Sequence, residues 1–355
     1  MEKRIIGLMS GTSLDGLDIA YVHFSGTEDV LTFSLEAAET VALPVEIKAA
    51  LHAIETLSSR EVFKLNQRIG RFYADAVNEF IQTYNLEKTR IDAIASHGQT
   101  IFHQPEDGYT VQLGCGSTLA YHSGLPVIND FRSLDVAAGG QGAPLVPIGD
   151  QLLFGTLADA YINIGGFANI SFKTNANTLA FDVCPGNLPM NAYARQLGKE
   201  YDVDGEIAAT HQADPEVLNT LNNLPYYKLD GPKSLGTEWL DSTFYPSIPS
   251  QIEPAVAIAT INEHLADQLA NVLEKHTLKR AYITGGGALN TSLMNQLKSK
   301  YSGEVIIPSA EIVHFKEAII FAFLGFRFLN QQFNSLASVT GAKENVCGGA
   351  LHYPR

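Results

Sequence analysis

Three times along this chain, an apolar run of β-favouring residues breaks at a cluster of glycines and small polar residues. The first is Arg4–Gly26, RIIGLMSGTSLDGLDIAYVHFSG. The second is Ala160–Lys173, AYINIGGFANISFK, and the third is Arg280–Gly287, RAYITGGG. Such a pattern admits short strands with tight turns and little else. The first two have the same apolar–glycine–polar–apolar order, which points to duplication at the scale of a domain. The chain has 355 residues, and at roughly 150 residues per domain that predicts about two.

Between these runs the pattern changes period. Val62, Leu65, Ile69, Phe72, Tyr73, Ala76, Val77, Phe80 and Ile81 recur at helical spacing and predict one long amphipathic helix. A third β-like run ends near Leu43. IDAIASHGQT, YTVQLG and LPVIND read as further strands, and TLAFDVCPGN as a strand and turn. The later part alternates helix (about 253–276), strand, helix (about 290–300), strand EVIIP and helix (about 316–332). Strands joined by helices predict a layered, mostly parallel α/β fold. The Gly- and Pro-rich DFRSLDVAAGGQGAPLVP lacks periodicity and reads as a connection between domains, or a loop lining a gap between them.

Composition narrows the function classes. The net charge of −14 argues against a dedicated nucleic-acid binder, which needs basic surface to meet phosphate, and against a polybasic membrane anchor. With 45% hydrophobic and 17% charged residues, the chain can bury a large core. Cys115, Cys184 and Cys347 are isolated in sequence, so free thiols in a reducing compartment are expected. Neither a leader-like segment nor an apolar stretch of about 20 residues is present, and the expectation is a soluble cytoplasmic protein.

Five constellations bear on chemistry. Gly11-Thr12-Ser13-Leu14-Asp15-Gly16-Leu17-Asp18 is either an ordinary hairpin turn or a phosphate loop, in which N–H groups and hydroxyls surround phosphate oxygen. Asp15 and Asp18 would suit a magnesium ion and its waters. Gly165-Gly166, taken alone, is a hairpin. Gly285-Gly286-Gly287, between a strand and a helix, matches a recurrent nucleotide site. The three glycine turns together point to one nucleotide held between two related domains. Asp182, ending an apolar strand before Pro185-Gly186-Asn187, is either a turn cap or a general base tuned by its surroundings. His97 and His103 lack zinc-ligand spacing, and His97 with Gln99 reads as a polar turn for hydroxyls or an amide. Arg132 would suit a carboxylate or phosphate, or serves structure alone. Lys233 reads as a solvated surface lysine, and Glu317 as a first-turn helix acid.

Taken in order, SGTSLDGLD, SHGQT, NDFRSLD, AAGGQGAPLVP, NIGGFANIS, FDVCPGN, GPKSLGTEW, TGGGALN, KEA and SVTGAKENVCGGALHYP resemble anhydro-N-acetylmuramic acid kinase over nearly the whole chain. The resemblance implies an α/β protein of two related actin-like (ribonuclease H-like) domains flanking a nucleotide cleft. These are residues 1–131 and 132–339, with the tail from about 340 to 355 packing back on the first. It implies ATP and Mg2+ as cofactors, an amino-sugar substrate, and commonly a homodimer, with no nucleic-acid or membrane partner. The implied reaction opens 1,6-anhydro-N-acetylmuramic acid with water and phosphorylates O6, giving N-acetylmuramic acid 6-phosphate and ADP in peptidoglycan recycling.

Carried over residue by residue, the catalytic base is Asp182. ATP or its phosphates meet Gly11, Thr12, Ser13, Asp15, Gly16, Asp18, Gly165, Gly166, Asn169, Gly285, Gly286 and Gly287, with Asp15 holding the metal through water. The sugar meets His97, Gln99, Arg132, Asn187 and Glu317, with Arg132 facing the lactyl carboxylate. One departure stands out: Val183-Cys184 follows the Asp where the family turn carries Thr-Gly. Rival readings are a kinase for an ordinary sugar hydroxyl, a non-catalytic ATP-dependent scaffold and, more distantly, a glycosidase.

Overall fold

The computed structural model describes residues 1–11, 14–27, 31–155, 157–174, 178–230 and 233–355. It divides into two compact units. One is Met1–Leu153 with Phe315–Arg355, and the other is Phe154–His314.

The first unit is built on a sheet that opens as a meander. Strands β1 (Glu2–Ser10), β2 (Leu17–Gly26) and β3 (Leu31–Val41) pair antiparallel in sequence. β4 (Ala93–Gln104) then pairs parallel with β1, and β6 (Val127–Asn129) parallel with β4. The spatial order is therefore third, second, first, fourth and then β6. β5 (Tyr109–Leu113) adds antiparallel to β4. The chain's last strand, β12 (Ala350–His352), closes the edge against β6.

The helix Ser59–Thr83 covers this sheet. Its start follows from a capping box: the Ser58 hydroxyl accepts the Glu61 N–H, and the Glu61 carboxylate accepts the Ser58 N–H, so two otherwise unpaired backbone donors are satisfied. Leu65, Ile69, Tyr73, Val77 and Phe80 form its buried stripe.

The second unit repeats the order. β7 (Ala160–Ile164), β8 (Phe167–Lys173) and β9 (Thr178–Pro185) form the antiparallel meander. β10 (Arg280–Thr284) pairs parallel with β7, and β11 (Glu304–Ile306) parallel with β10. The helix Pro254–Lys275 is buried along most of its length and fills the core of this unit. Two sheets of one strand order, each a meander continued by parallel strands, form the duplicated actin-like α/β architecture that the resemblance implies.

Two sequence readings need correction. The last long helix runs Ala310–Leu329, so it starts about six residues before the expected position. Consequently Glu317 lies two turns in and is not a first-turn acid. The segment 130–147 is no free connection. It contains the short helix Ser133–Ala137, and the Asp135 carboxylate accepts hydrogen bonds from Gly142 N–H, Ser335 Oγ and Thr340 Oγ1. Those bonds keep 132–153 with the first unit, so the chain leaves it after Leu153 rather than at 131. It re-enters at Phe315, well before 340.

The buried helix Ala310–Leu329 meets β1 and β4 through small residues. A side chain at Gly7 would run into the Ala318 carbonyl and the Ala322 N–H, and one at Gly325 into Ala95. Backbone-to-backbone approach of this kind leaves no flexible neighbour to give way. Gly7→Ala is expected to cost at least about 1–3 kcal/mol, the range for overpacking a tight core. Urea denaturation should show a lower midpoint with an unchanged slope, and an unchanged midpoint would refute the packing account.

Candidate functional site

In the second unit, three glycine-containing turns gather at one end of the sheet. Gly165 and Gly166 turn β7 into β8. Their carbonyls accept the N–H groups of Asn187 (2.8 Å) and Gly186 (2.8 Å) from the turn after β9. Gly285, Gly286 and Gly287 follow β10 and lie against the same place. Gly285, at φ +81°, packs so closely on Ile164 that a side chain would strike its carbonyl, and Gly287 touches the Ile164 side chain. Asn187 Nδ2 donates to Ile164 O at 3.4 Å. The structure thus brings together Gly165, Gly166, Asn187 and Gly285–Gly287, which are far apart in sequence.

A row of polar side chains crosses this sheet. Thr284 pairs with Asn163, Asn163 with Asn169, and Asn169 with Asp182, so the four residues share one face. Asn169 is exposed and Asp182 half-buried. Immediately after Asp182 the pairing slips: Asn169 faces Asp182 while Ala168 faces Cys184. Val183 is the extra residue of a β-bulge, a device that re-aims a neighbouring side chain. Val183 and Cys184 are both buried, so at the departure from the family turn both residues serve packing. Burial also pushes the Cys184 thiol up, and a thiol held neutral is no nucleophile.

The loop carrying Lys233 grips Asp182. Leu235 N–H donates to Asp182 Oδ2 at 2.9 Å. Asp182 N–H donates to Lys233 O at 3.0 Å, and the Tyr226 hydroxyl to Asp182 O at 2.7 Å. Asp182 Oδ1 has no hydrogen-bond partner among the described residues. Burial pushes the Asp182 carboxyl up, and the Leu235 hydrogen bond partly offsets this. Lys233 is not a solvated surface lysine. Its ammonium donates to the carbonyls of Tyr226 (3.0 Å) and Leu229 (3.1 Å) and lies 4.4 Å from the centre of the Tyr226 ring.

The other residues singled out in the sequence lie in the first unit. The Gly11 turn closes through Leu14 N–H to Gly11 O at 3.2 Å, while Thr12 and Ser13 lie outside the described residues. Asp15 is exposed and Gly16 buried. Asp18 Oδ1 accepts the Thr40 hydroxyl at 2.6 Å. Gln99 is committed to this turn: its Oε1 accepts Ser10 Oγ at 2.7 Å and its Nε2 donates to Gly11 O at 3.2 Å.

Arg132 and His97 form a second centre. Arg132 Nε and Nη2 both donate to His97 Nε2, at 3.1 and 2.9 Å, and Nη1 donates to Gly142 O at 2.7 Å. A guanidinium always carries its protons, so His97 Nε2 must be bare and the ring proton sits on Nδ1. Burial, then the Arg132 charge, push the His97 pKa down to about 3, so the ring is neutral at physiological pH. Burial also lowers Arg132 to about 10, with the Glu317 and Asp135 charges opposing. Three of the five guanidinium N–H groups are spent on these bonds. The other two have no partner among the described residues.

Glu317, in the helix Ala310–Leu329, is the acid beside this cation. Burial pushes its carboxyl up, Lys316 and Arg132 pull it down, and Asp18 and Asp150 push it up again. Beneath it Lys316 Nζ meets Asp150 Oδ1 at 2.7 Å in a buried ion pair. Sequence reading missed this pair, the Lys233 loop and Asn163. The polar spacing within Asn163–Asn169 was the only available signal, because ion pairs between distant segments leave none.

Two units of one strand order, each a meander continued by parallel strands, define a duplicated α/β protein. The comparisons give the family. The anhydro-N-acetylmuramic acid kinase family model matches residues 3–354. The Chromobacterium violaceum protein named anhydro-N-acetylmuramic acid kinase is 37% identical, with 100% of each chain covered. The Shewanella pealeana protein of the same name is 35% identical, with 98% of each covered. Among solved structures, the activator of the 2-hydroxyisocaproyl-CoA dehydratase from Clostridium difficile with bound ADPNP covers 93% of this chain and 97% of its own. Its identity is 14% and its TM-score 0.46, a distance at which no function transfers. The chain belongs to the anhydro-N-acetylmuramic acid kinase family.

The Lys316–Asp150 pair supports a stability test. Removing one member of a buried pair strands the other charge, at a typical cost of about 3–5 kcal/mol. Lys316→Met is expected to destabilise by that order in urea denaturation, and the double variant Lys316→Met/Asp150→Leu to recover most of it. A single variant of wild-type stability would show that the pair carries no such weight.

Proposed function

We propose that this protein is an ATP-dependent kinase that opens 1,6-anhydro-N-acetylmuramic acid with water and phosphorylates O6. The products are N-acetylmuramic acid 6-phosphate and ADP. Family membership supports the reaction class. The observation that carries the mechanism is Asp182: a half-buried carboxylate with raised pKa, one oxygen held by Leu235 N–H and the other without a partner among the described residues. Such a group can take a proton from water and release it again.

In the proposed step Asp182 Oδ1 removes a proton from water as the water oxygen bonds to C1 of the sugar. The C1–O6 bond breaks, and its electron pair stays on O6. An inverting glycosidase supplies a second carboxylic acid to protonate the departing oxygen. Here O6 bonds to the γ-phosphorus as the bond to the ADP oxygen breaks, so no second acid is needed. Asp182 gives its proton to solvent afterwards.

The remaining catalysis is positioning and charge stabilisation. Arg132, with two spare N–H groups, holds the lactyl carboxylate. Glu317 and Asn187 contact the sugar, while His97 acts by holding Arg132 and Gln99 by holding the Gly11 turn. The Gly11–Asp18 turn, Gly165, Gly166 and Asn169 serve the phosphates, and Gly285–Gly287 the adenosine.

Magnesium fits this donor set. The ion takes oxygen ligands and usually one or two carboxylates, with phosphate and water completing its shell. Asp15 and Asp18 offer such carboxylates, and no cluster of three or more acidic, His or Cys ligands exists among the described residues. When bound, the ion neutralises charge on the transferring phosphates. We further propose that the enzyme works in the cytoplasm as a homodimer. No helix among the described residues is long and apolar enough to cross a membrane.

Two tests follow. Asp182→Asn should abolish turnover by at least about a hundredfold, the lower range for losing a general base, with ATP affinity unchanged. A raised folded-state pKa means that ionising Asp182 costs stability as pH rises through it, so this variant should be no less stable than wild type at pH 7. Wild-type kcat/KM should fall as pH drops through the raised pKa, giving an acid limb above the ordinary value of 3.8. Near-normal turnover in Asp182→Asn would remove the base assignment. Separately, turnover in oxygen-18 water should place the label at C1 of the product sugar. Label found only in phosphate would indicate plain ATP hydrolysis, and no label in the sugar would indicate phosphorylation of an existing hydroxyl.

A further inference from the structure

The segments 130–147 and 335–347 carry motifs that the proposed chemistry leaves unused, yet they meet at one fully buried carboxylate. Asp135 is 0% exposed. Its Oδ1 accepts Ser335 Oγ at 2.5 Å and Thr340 Oγ1 at 2.8 Å, and its Oδ2 accepts Gly142 N–H at 2.8 Å. The backbone around it is docked as well: Gln141 N–H donates to Thr340 O at 2.8 Å, and Lys343 N–H to Ala138 O at 3.1 Å. The glycines fit this arrangement. A side chain at Gly140 would collide with the Asp135 carboxylate, and Gly142 sits at φ +66°, where side chains are strained.

The backbone of Gly142 links this carboxylate to the cation. Its N–H points to Asp135 and its carbonyl accepts Arg132 Nη1 at 2.7 Å. The two groups belong to successive peptides on either side of the Gly142 Cα, so Asp135 acts by fixing where that stretch of backbone, and with it the carbonyl, sits. Asp135 also favours the charged form of Arg132 directly. With His97 taking two N–H groups and Gly142 O a third, the guanidinium is held by three hydrogen bonds, and two N–H groups are left without a partner among the described residues.

We propose that Asp135 is a positioning residue: by fixing the backbone of Gly142, and braced by Ser335 and Thr340, it aims the Arg132 guanidinium at the carboxylate of the substrate. This rests on the reading of Arg132 as the partner of the lactyl carboxylate. The role is specific. It concerns recognition of the acid group and leaves the rest of the sugar and the nucleotide untouched.

The test compares two sugars by calorimetry with the full-length protein. One is 1,6-anhydro-N-acetylmuramic acid. The other is 1,6-anhydro-N-acetylglucosamine, the same bicyclic sugar without the lactyl ether. Asp135→Asn keeps the shape and removes the charge. It is expected to raise Kd for the acid-bearing sugar about tenfold, the order of a weakened charge-assisted hydrogen bond, while Kd for the acid-free sugar and for ATP stays at wild-type values. Equal weakening of both sugars, or no change in a variant that melts like wild type, overturns the proposal. Should Asp135→Asn fail to fold, Ser335→Ala/Thr340→Val makes the same comparison with a smaller expected shift in the same sugar alone. Arg132→Gln separates the two levels. Selective loss in Arg132→Gln but not in the Asp135 or Ser335/Thr340 variants defeats the positioning role only. If Arg132→Gln does not discriminate between the sugars, the carboxylate reading fails and the positioning role falls with it.

Discussion

The seating of the helix Ala310–Leu329 on β1 and β4 is the constraint from which much of the first unit follows. Gly7, Ala95, Ala318, Ala322 and Gly325 let helix and sheet approach at backbone distance. At its N-terminal end this same helix carries Lys316 and Glu317. Close seating therefore fixes the depth at which those two charges sit, and depth sets their energetics. Lys316 is buried and must be paired, which Asp150 does. Glu317 is drawn between cations that favour its ionised form and burial that opposes it. A larger residue at the contact would lift the helix and change both. Packing and electrostatics are here one problem with one geometric solution.

The two units share a strand order but have diverged in what they place on it. In the second unit the row Thr284, Asn163, Asn169 and Asp182 runs across four strands and ends in a carboxylate of raised pKa. In the first unit the comparable meander pairs Met9 with Asp18 and Asp18 with Thr40, and the Thr40 hydroxyl is committed to that Asp. The buried charges Arg132, Asp150 and Lys316 of the first unit lie instead after its meander, in the segment 130–153 and the returning helix. The two units thus share a backbone plan and differ in polar content, with a carboxylate of raised pKa on one and a buried guanidinium in the other.

Local pattern made much of this legible. The helix 59–83 announces itself through a buried stripe and a capping box, because both are short-range features. The glycine turns are visible because tight turns after apolar strands demand small residues. What stayed hidden depends on contacts between distant segments. Lys233 looks like any surface lysine until the carbonyls of Tyr226 and Leu229 are seen around it. Residues 130–147 look like a tether because glycine and proline disrupt periodicity, while the bonds that dock them come from residues about 200 positions away. His97 was legible as polar but not as neutral, since its tautomer is dictated by an arginine 35 residues later. The early start of the helix Ala310–Leu329 was missed because its first turns mix exposed and apolar residues without a clear face.

The single unpaired residue after Asp182 has a further effect on how β9 tolerates change. Without it, every side chain on one side of the slip would be turned over relative to β8. With it, Thr178–Phe181 stay matched to one stretch of β8, and Cys184–Pro185 to another, each in its own phase. The carboxylate and the turn behind it are therefore aligned by two separate stretches of pairing with β8.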